Sequence, residues 1–410
     1  MLAWLMHFFR GKGDQTMSKL VKRTIAIMIV CEFLICLGLS LIFPVMPFIK
    51  NEYHFSAFDM GVMSALFALV QFVASPVVGR WSDRLGRKPM LIWGMVLFAI
   101  GQLIFAVGNT LWIFDFSRVI DGLSAAMFVP TSMALAADIT TPRERAKVIG
   151  WLSAAFSGGL ILGPGLGGIL AAWGYKVPFW VAGILGGMAT LVALFWLPDD
   201  RKVDLGQPSE PAPTSPAPGW GKYRHLMTRP MLILFAMILV AAFGLAGFES
   251  IYSLYVNEVH QFDLAAIATV LTLNGILSLV LQVFFFEKLV VWLGEVKLIR
   301  YSYLLSALAT LVVIYDHSHW QIIVATLVVF EAFDLLRPAI TTLLTKASTK
   351  DQGLINGMNM SLTSIGNIFG PLLSGATLDW NYQYPYLIVT VFLMVAFGIS
   401  FGLRKFMAQN

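Results

Sequence analysis

Apolar runs follow one another along the chain, each closed by charges or turn residues, at 24–43, 59–78, 90–108, 111–136, 148–172, 177–197, 231–256, 264–286, 296–315, 320–344, 354–378 and 385–403. A helix rises about 1.5 Å per residue, so roughly 20 apolar residues cross the hydrocarbon core of a bilayer. In that medium every backbone N–H and C=O must be paired inside the chain, which a helix does segment by segment. The pattern predicts an all-α membrane protein with 12 transmembrane helices. Between the sixth and seventh runs lies a polar stretch whose Pro-rich core, 207–218, predicts an extended, flexible linker. The expected organisation is a tail (1–23), a six-helix bundle (24–197), the linker (198–230), a second six-helix bundle (231–404) and a tail (405–410).

The two halves carry matching landmarks. Trp112 and Trp320 open the fourth and tenth runs at an offset of 208, which Pro130 and Pro338 keep; Gly163-Pro164 and Gly370-Pro371 fall at 207. This spacing predicts a duplicated unit, a parallel repeat in which substrate and ion sites lie near the midplane.

Composition and charge narrow the class. The chain is 58% hydrophobic and 12% charged, with a mean hydropathy of +0.77, and leaves little for a soluble domain. The net charge of +5 does not point to nucleic acid, because 24 of the 28 Lys and Arg fall in alternate short segments and only Lys50 and Lys176 in the intervening ones. That bias puts both termini in the cytoplasm. Cys31 and Cys36 lie in the first run without His or carboxylate neighbours at ligand spacing, so packing is expected there and no metal site. No stretch fits the phosphate-binding loop G-x-x-x-x-G-K-[ST], and no nucleophile–base set is evident. Neither an enzyme, a nucleotide partner nor a cofactor is expected, and the chain should act as a monomer. Residues 1–16 read either as a surface helix or as sequence preceding a start at Met17.

The chemistry is expected of charges placed inside apolar runs. Glu331, Asp334 and Arg337 stand three apart in the tenth run, where Asp334 can reach either neighbour across one turn. A charge at mid-bilayer costs between about 3 and 15 kcal/mol. The triplet is therefore either a structural Asp334–Arg337 pair or a carboxylate that exchanges a proton. In the fourth run stand Asp115, Arg118 and Asp121; Asp121 either neutralises Arg118 or relays protons. Glu249 shares a face with Tyr252 and Ser253 in the seventh run, which has no base beside it. An ionised carboxylate there needs a cation or a proton. Glu32 sits about 12 Å into the first run, either reaching back to the headgroups or serving as a further proton site. The six histidines fall in loops or the tail, so proton chemistry rests on carboxylates. Polar stripes run beside these acids: Ser64, Phe67, Gln71 and Ser75; Asn274, Ser278 and Gln282; Asn356, Asn359, Thr363 and Asn367. They serve as helix glue or line a cavity. Phe67, Gln71, Tyr252, Phe330, Phe333 and Asn274 are the expected cavity wall, since aromatic faces with a carboxylate suit bulky hydrophobic cations.

Several motifs carry a family likeness. Gly79-Arg-Trp-Ser-Asp83-Arg84-Leu-Gly86-Arg87-Lys88 resembles the signature loop of the major facilitator superfamily. The resemblance implies a cytoplasmic latch in which Asp83 meets the start of the eleventh span and Arg84 or Arg87 pairs with Asp138. The second half keeps a remnant at Leu293-Gly-Glu-Val-Lys297. Gly159-x-x-x-Gly163-Pro164-x-x-Gly167-Gly168 resembles the antiporter motif of the superfamily's exporters; its glycines form a flat ridge and its proline permits a bend. Arg118 to Gly122 resembles an element tied to proton movement. The stretches 248–255 and 333–340, with Ser117–Ile120 and Ile161–Gly165, resemble the Gram-positive quinolone and multidrug exporters of the drug:proton antiporter family. That resemblance implies Glu249 and Asp334 as paired carboxylates that bind protons and favour cationic drugs, with Glu331 and Arg337 beside them. Cys31-Glu32-Phe33 resembles the first span of enterobacterial multidrug antiporters, with Ser40 where those carry a second acid. The function implied is proton-coupled efflux of hydrophobic, often cationic compounds from the bacterial cytoplasm, in a multi-pass plasma-membrane protein. The alternative is a proton-driven exporter of an endogenous metabolite or glycolipid.

Overall fold

The structure, a computed structural model, describes residues 18–198, 228–347 and 352–403; the Pro-rich linker core, residues 1–16 and the tail 405–410 lie outside the described residues. Every described element is helical: α1 (Lys19–Ser40), α2 (Met46–Tyr53), α3 (Ala57–Leu85), α4 (Arg87–Val107), α5 (Leu111–Asp138), α6 (Pro142–Ala171), α7 (Val177–Trp196), α8 (Arg229–Glu258), α9 (Leu264–Val280), α10 (Phe286–Leu293), α11 (Glu295–Tyr315), α12 (His319–Ala347), α13 (Gln352–Trp380) and α14 (Tyr384–Ser400). A π-helical segment, Leu281–Phe285, joins α9 to α10. Among the described residues, ten segments are long and apolar enough to cross a membrane; α12 and α13, which hold the expected tenth and eleventh spans, are not among them. They carry the acid–base triplet and the run of asparagines, respectively.

Local signals set the helix ends. Ser18 caps α1 by accepting from Val21 N, and Asp263 caps α9 by accepting from Ala266 N at 2.8 Å. Thr141 and Glu144 form a capping box on α6, with Pro142 in the first turn. The chain turns from α3 into α4 at Gly86 (φ 100°) and from α10 into α11 at Gly294 (φ 74°). Both need the left-handed conformation that glycine alone adopts cheaply. The two glycines stand at the repeat offset, so the duplication extends to the backbone.

Packing repeats as well. In the first half α1 packs on α6 and α7, and α4 on α5 and α7; in the second, α8 packs on α13 and α14, and α11 on α12 and α14. The described residues form two compact units, one from within Met1–Val45 and Leu69–Pro213, the other from within Met46–Ala68 and Thr214–Asn410. Met46–Ala68 belongs to the second unit for identifiable reasons. Asp379 accepts from Ala57 N and Phe58 N, at 2.8 Å each, and so caps α3. Lys50 pairs with Glu258. A Cβ on Gly61 would overlap the carbonyl of Pro371.

The expected glycine ridge is seen in the first unit. A Cβ on Gly159 would come within 2.7 Å of Leu37 N and Phe33 O, and one on Gly163 or Gly167 would overlap Ser40 or the Leu41 carbonyl. The hydroxyl of Ser40 donates to Gly159 O at 3.0 Å. The same ridge recurs in the second unit, where a Cβ on Gly366 would lie 2.6 Å from Phe243 N and one on Gly370 2.8 Å from Gly247 N. Small residues thus let α6 meet α1, and α13 meet α8, backbone to backbone.

Candidate functional site

In the second unit α8, α9 and α12 bring together three carboxylates. Glu249 of α8 is exposed, and the charge of Asp334 on α12 acts on it. Asp334 is half-buried and accepts a hydrogen bond from the Ser278 hydroxyl of α9. Glu331, one turn earlier on α12, buries both carboxylate oxygens without a hydrogen-bond partner, and Asn274 Oδ1 on α9 is likewise unpartnered. Among the described residues no Lys or Arg makes a salt bridge to any of the three acids. Arg337 is exposed and leaves Asp334 unpaired, so the structural Asp334–Arg337 pair weighed from the sequence does not form here. Its position one turn away still lets its charge act on Asp334.

The expected aromatic wall takes another place. Tyr252, Phe330 and Phe333 are 0%, 4% and 2% exposed. Phe248 stacks on Tyr386 (4.6 Å) and meets Phe330 edge-on (5.3 Å), with Tyr252 against the same Phe330 (5.6 Å). These rings form core that fixes α8 against α12 and α14, and they are not open to a cargo in this conformation. The reason is helix phase: Phe248 and Tyr252 are one turn apart on the face of α8 next to the one that carries Glu249. Asn274, Phe67 and Gln71 are half-buried.

In the first unit Arg118 and Asp121 form a buried ion pair at 2.8 Å. Gln102 of α4 donates to Asp121 at 3.0 Å, and Arg118 lies 4.7 Å from the centre of the Phe105 ring, itself stacked on Phe179. A Cβ on Gly101 would overlap Asp121 Oδ1, so α4 supplies both a donor and the space. Of the two roles weighed for Asp121, neutralising Arg118 is the one this geometry performs. Sequence reasoning passed over Gln102 and Gly101; a glutamine inside the apolar run 90–108 was the available signal. We expect Asp121→Ala to cost about 3–5 kcal/mol by stranding a buried guanidinium. Asp121→Asn should cost less, and thermal unfolding of the purified variants checks the order.

Glu32 is fully buried with Ser132 of α5 beside it, and neither oxygen has a well-formed hydrogen bond. It does not reach the headgroups. In the signature loop Arg87 binds Asp138 (2.9 Å), Asp83 (2.6 Å) and Ser82 Oγ (3.0 Å), while Arg84 is exposed. Arg87 is therefore the arginine that takes Asp138, and Asp83 closes on Arg87 in the same cluster.

Two copies of one helical unit with carboxylates sunk mid-helix define a polytopic membrane transporter. The chain belongs to the major facilitator superfamily, whose sequence profile matches residues 28–315 and 284–406. It is 37% identical over 377 residues to multidrug resistance protein 1 of Bacillus subtilis, covering 92% of this chain and 95% of that one. It is 34% identical over 373 residues to the quinolone resistance protein NorA of Staphylococcus aureus, covering 90% and 91%. Among solved structures it superposes on the nucleoside transporter NupG (TM-score 0.77, 13% identity, 93% of this chain and 99% of that one). It also superposes on a bacterial homologue of the human lysosomal transporter Spinster (TM-score 0.74, 16% identity, 93% and 96%). These last two likenesses are of fold alone.

Proposed function

We infer that this protein is a proton-coupled multidrug efflux antiporter of the bacterial plasma membrane. All twelve expected spans, those in α12 and α13 included, cross the bilayer with both termini in the cytoplasm, and one chain suffices for transport. The observation that carries this reading is the set Glu249, Asp334 and Glu331, three acids on adjoining helices with no basic side chain bonded to them. Acids left without a cation in oil are stable only with a proton or a cationic cargo. The two occupants therefore compete, and competition at one site is what couples their opposed movements. The names of the relatives, multidrug and quinolone resistance proteins, support drugs as the cargo.

The proton-motive force sets what this exchange can do. A proton entering down one pH unit releases about 1.4 kcal/mol, and each net inward charge adds roughly 2.3 kcal/mol per 100 mV. A monovalent cation leaving for one proton draws on the pH gradient alone; for two protons it draws on both. Glu32, buried and without a base, is a further proton carrier in the first unit. Asp121 neutralises Arg118 within α5, and Gln102 ties the pair to α4. The Arg87–Asp138–Asp83 cluster latches the cytoplasmic ends, and Pro164, within the glycine ridge, permits α6 to bend. Cells expressing the protein should extrude a cationic dye, and a protonophore should stop them. Efflux that survives the protonophore would overturn proton coupling.

A further inference from the structure

Serine and threonine hydroxyls inside membrane helices ordinarily donate back to their own helix, four residues earlier. On α9 Thr269 does so to Ala265 O (2.7 Å) and Thr272 to Ala268 O (2.8 Å). Ser278 departs from this habit: its hydroxyl crosses to α12 and donates to Asp334. Gln282 Nε2 donates to the same Ser278 oxygen at 3.3 Å and so turns the hydroxyl hydrogen toward the carboxylate. The π segment Leu281–Phe285 begins three residues after Ser278. Up to it α9 packs on α12; beyond it α10 packs on α11. A π turn adds one residue and rotates the face that follows, a device frequent at functional sites. Here it lets span eight serve α12 at one end and α11 at the other.

Glu331 supplies the contrast within the same helix. It lies one turn from Asp334 and its oxygens are buried, yet no donor reaches them, and Asn274 Oδ1, one turn before Ser278, is equally without a donor. The polar face of α9 thus supplies a donor to one of the two acids and withholds it from the other.

We propose that Ser278 is a positioning residue of the antiport reaction, holding Asp334 as the anion that receives a cationic cargo. This rests on Asp334 being an exchange carboxylate. A hydroxyl that donates to a carboxylate stabilises its charged form. When Asp334 takes up a proton, the new O–H can donate to Ser278 Oγ, and the hydroxyl is released to its own helix. The other charged groups acting around Asp334 are Glu249 from α8 and Glu331 and Arg337 from α12 itself; α9 contributes none, and among the described residues none from α11 or α13 acts on it.

The test uses the purified full chain and tetraphenylphosphonium, a hydrophobic cation with no hydrogen-bond donor, with binding measured as a function of pH. Ser278→Ala should move the midpoint of the pH dependence upward by about one unit, equivalent to about tenfold in proton affinity. Ser278→Thr, which keeps the hydroxyl, should restore it. An unmoved midpoint in Ser278→Ala, or a loss of affinity equal at every pH, overturns the role of Ser278. If Asp334→Asn abolishes the pH dependence in the same series, the carboxylate reading stands without Ser278. If Asp334→Asn leaves it intact, that reading falls.

Discussion

Glu249→Gln will reduce dye efflux to the level of cells lacking the transporter, while the purified variant keeps its melting temperature. The amide has nearly the shape of the acid and occupies the same exposed position on α8, where no salt bridge is lost. It cannot ionise, so it neither takes a proton nor balances a cationic cargo, and the charge of Asp334 then acts on a permanently neutral neighbour. Asp334→Asn should give the same loss of transport and should in addition disturb Ser278, whose hydroxyl would face an amide. Ligand-induced proton release from the purified protein separates binding from coupling: wild type releases protons when a cation binds, and Glu249→Gln releases fewer. A Glu249→Gln variant that still drives a dye against its gradient would remove this residue from the mechanism.

Gly167→Val will cause the largest loss of folded protein among single substitutions on the ridge of α6. A side chain there runs into the backbone carbonyl of Leu41, which cannot swing aside as a flexible side chain can. Overpacking of a rigid site costs about 1–3 kcal/mol and occasionally more, and here it would also part α6 from α1. Gly366→Val, facing Phe243 N at 2.6 Å in the repeated unit, should behave alike. Gly187→Ala is the control: nothing lies within 4 Å of a Cβ there, and replacing a helical glycine should be neutral or slightly stabilising. Yield of monodisperse protein and thermal unfolding read out all three. Equal stability of Gly167→Val and Gly187→Ala would refute the backbone-contact account.

Arg118 and Asp121 show how far local spacing reaches. They are three residues apart on one helix, and they pair as that spacing allows. Asp334 and Arg337 have the same spacing and the opposite outcome, because a hydroxyl 56 residues away in sequence takes the carboxylate and the guanidinium stays exposed. The aromatic residues make the same point: their number could be read directly, but which of them faced inward depended on the phase of α8 against α12 and α14.

Properties carried by residue type and spacing alone were present in the linear chain: helices from apolar runs, the duplication from repeated landmarks, the ridge from glycines one turn apart, and acids marked by their cost in oil. Partnership was not among them. Ser278 with Asp334 and Asp379 with the start of α3 join helices far apart in sequence, and Gln102 reaches Asp121 across the turn between two consecutive helices. A hydrogen bond is decided within a few tenths of an ångström and a few tens of degrees, a precision that exists only once the helices have packed.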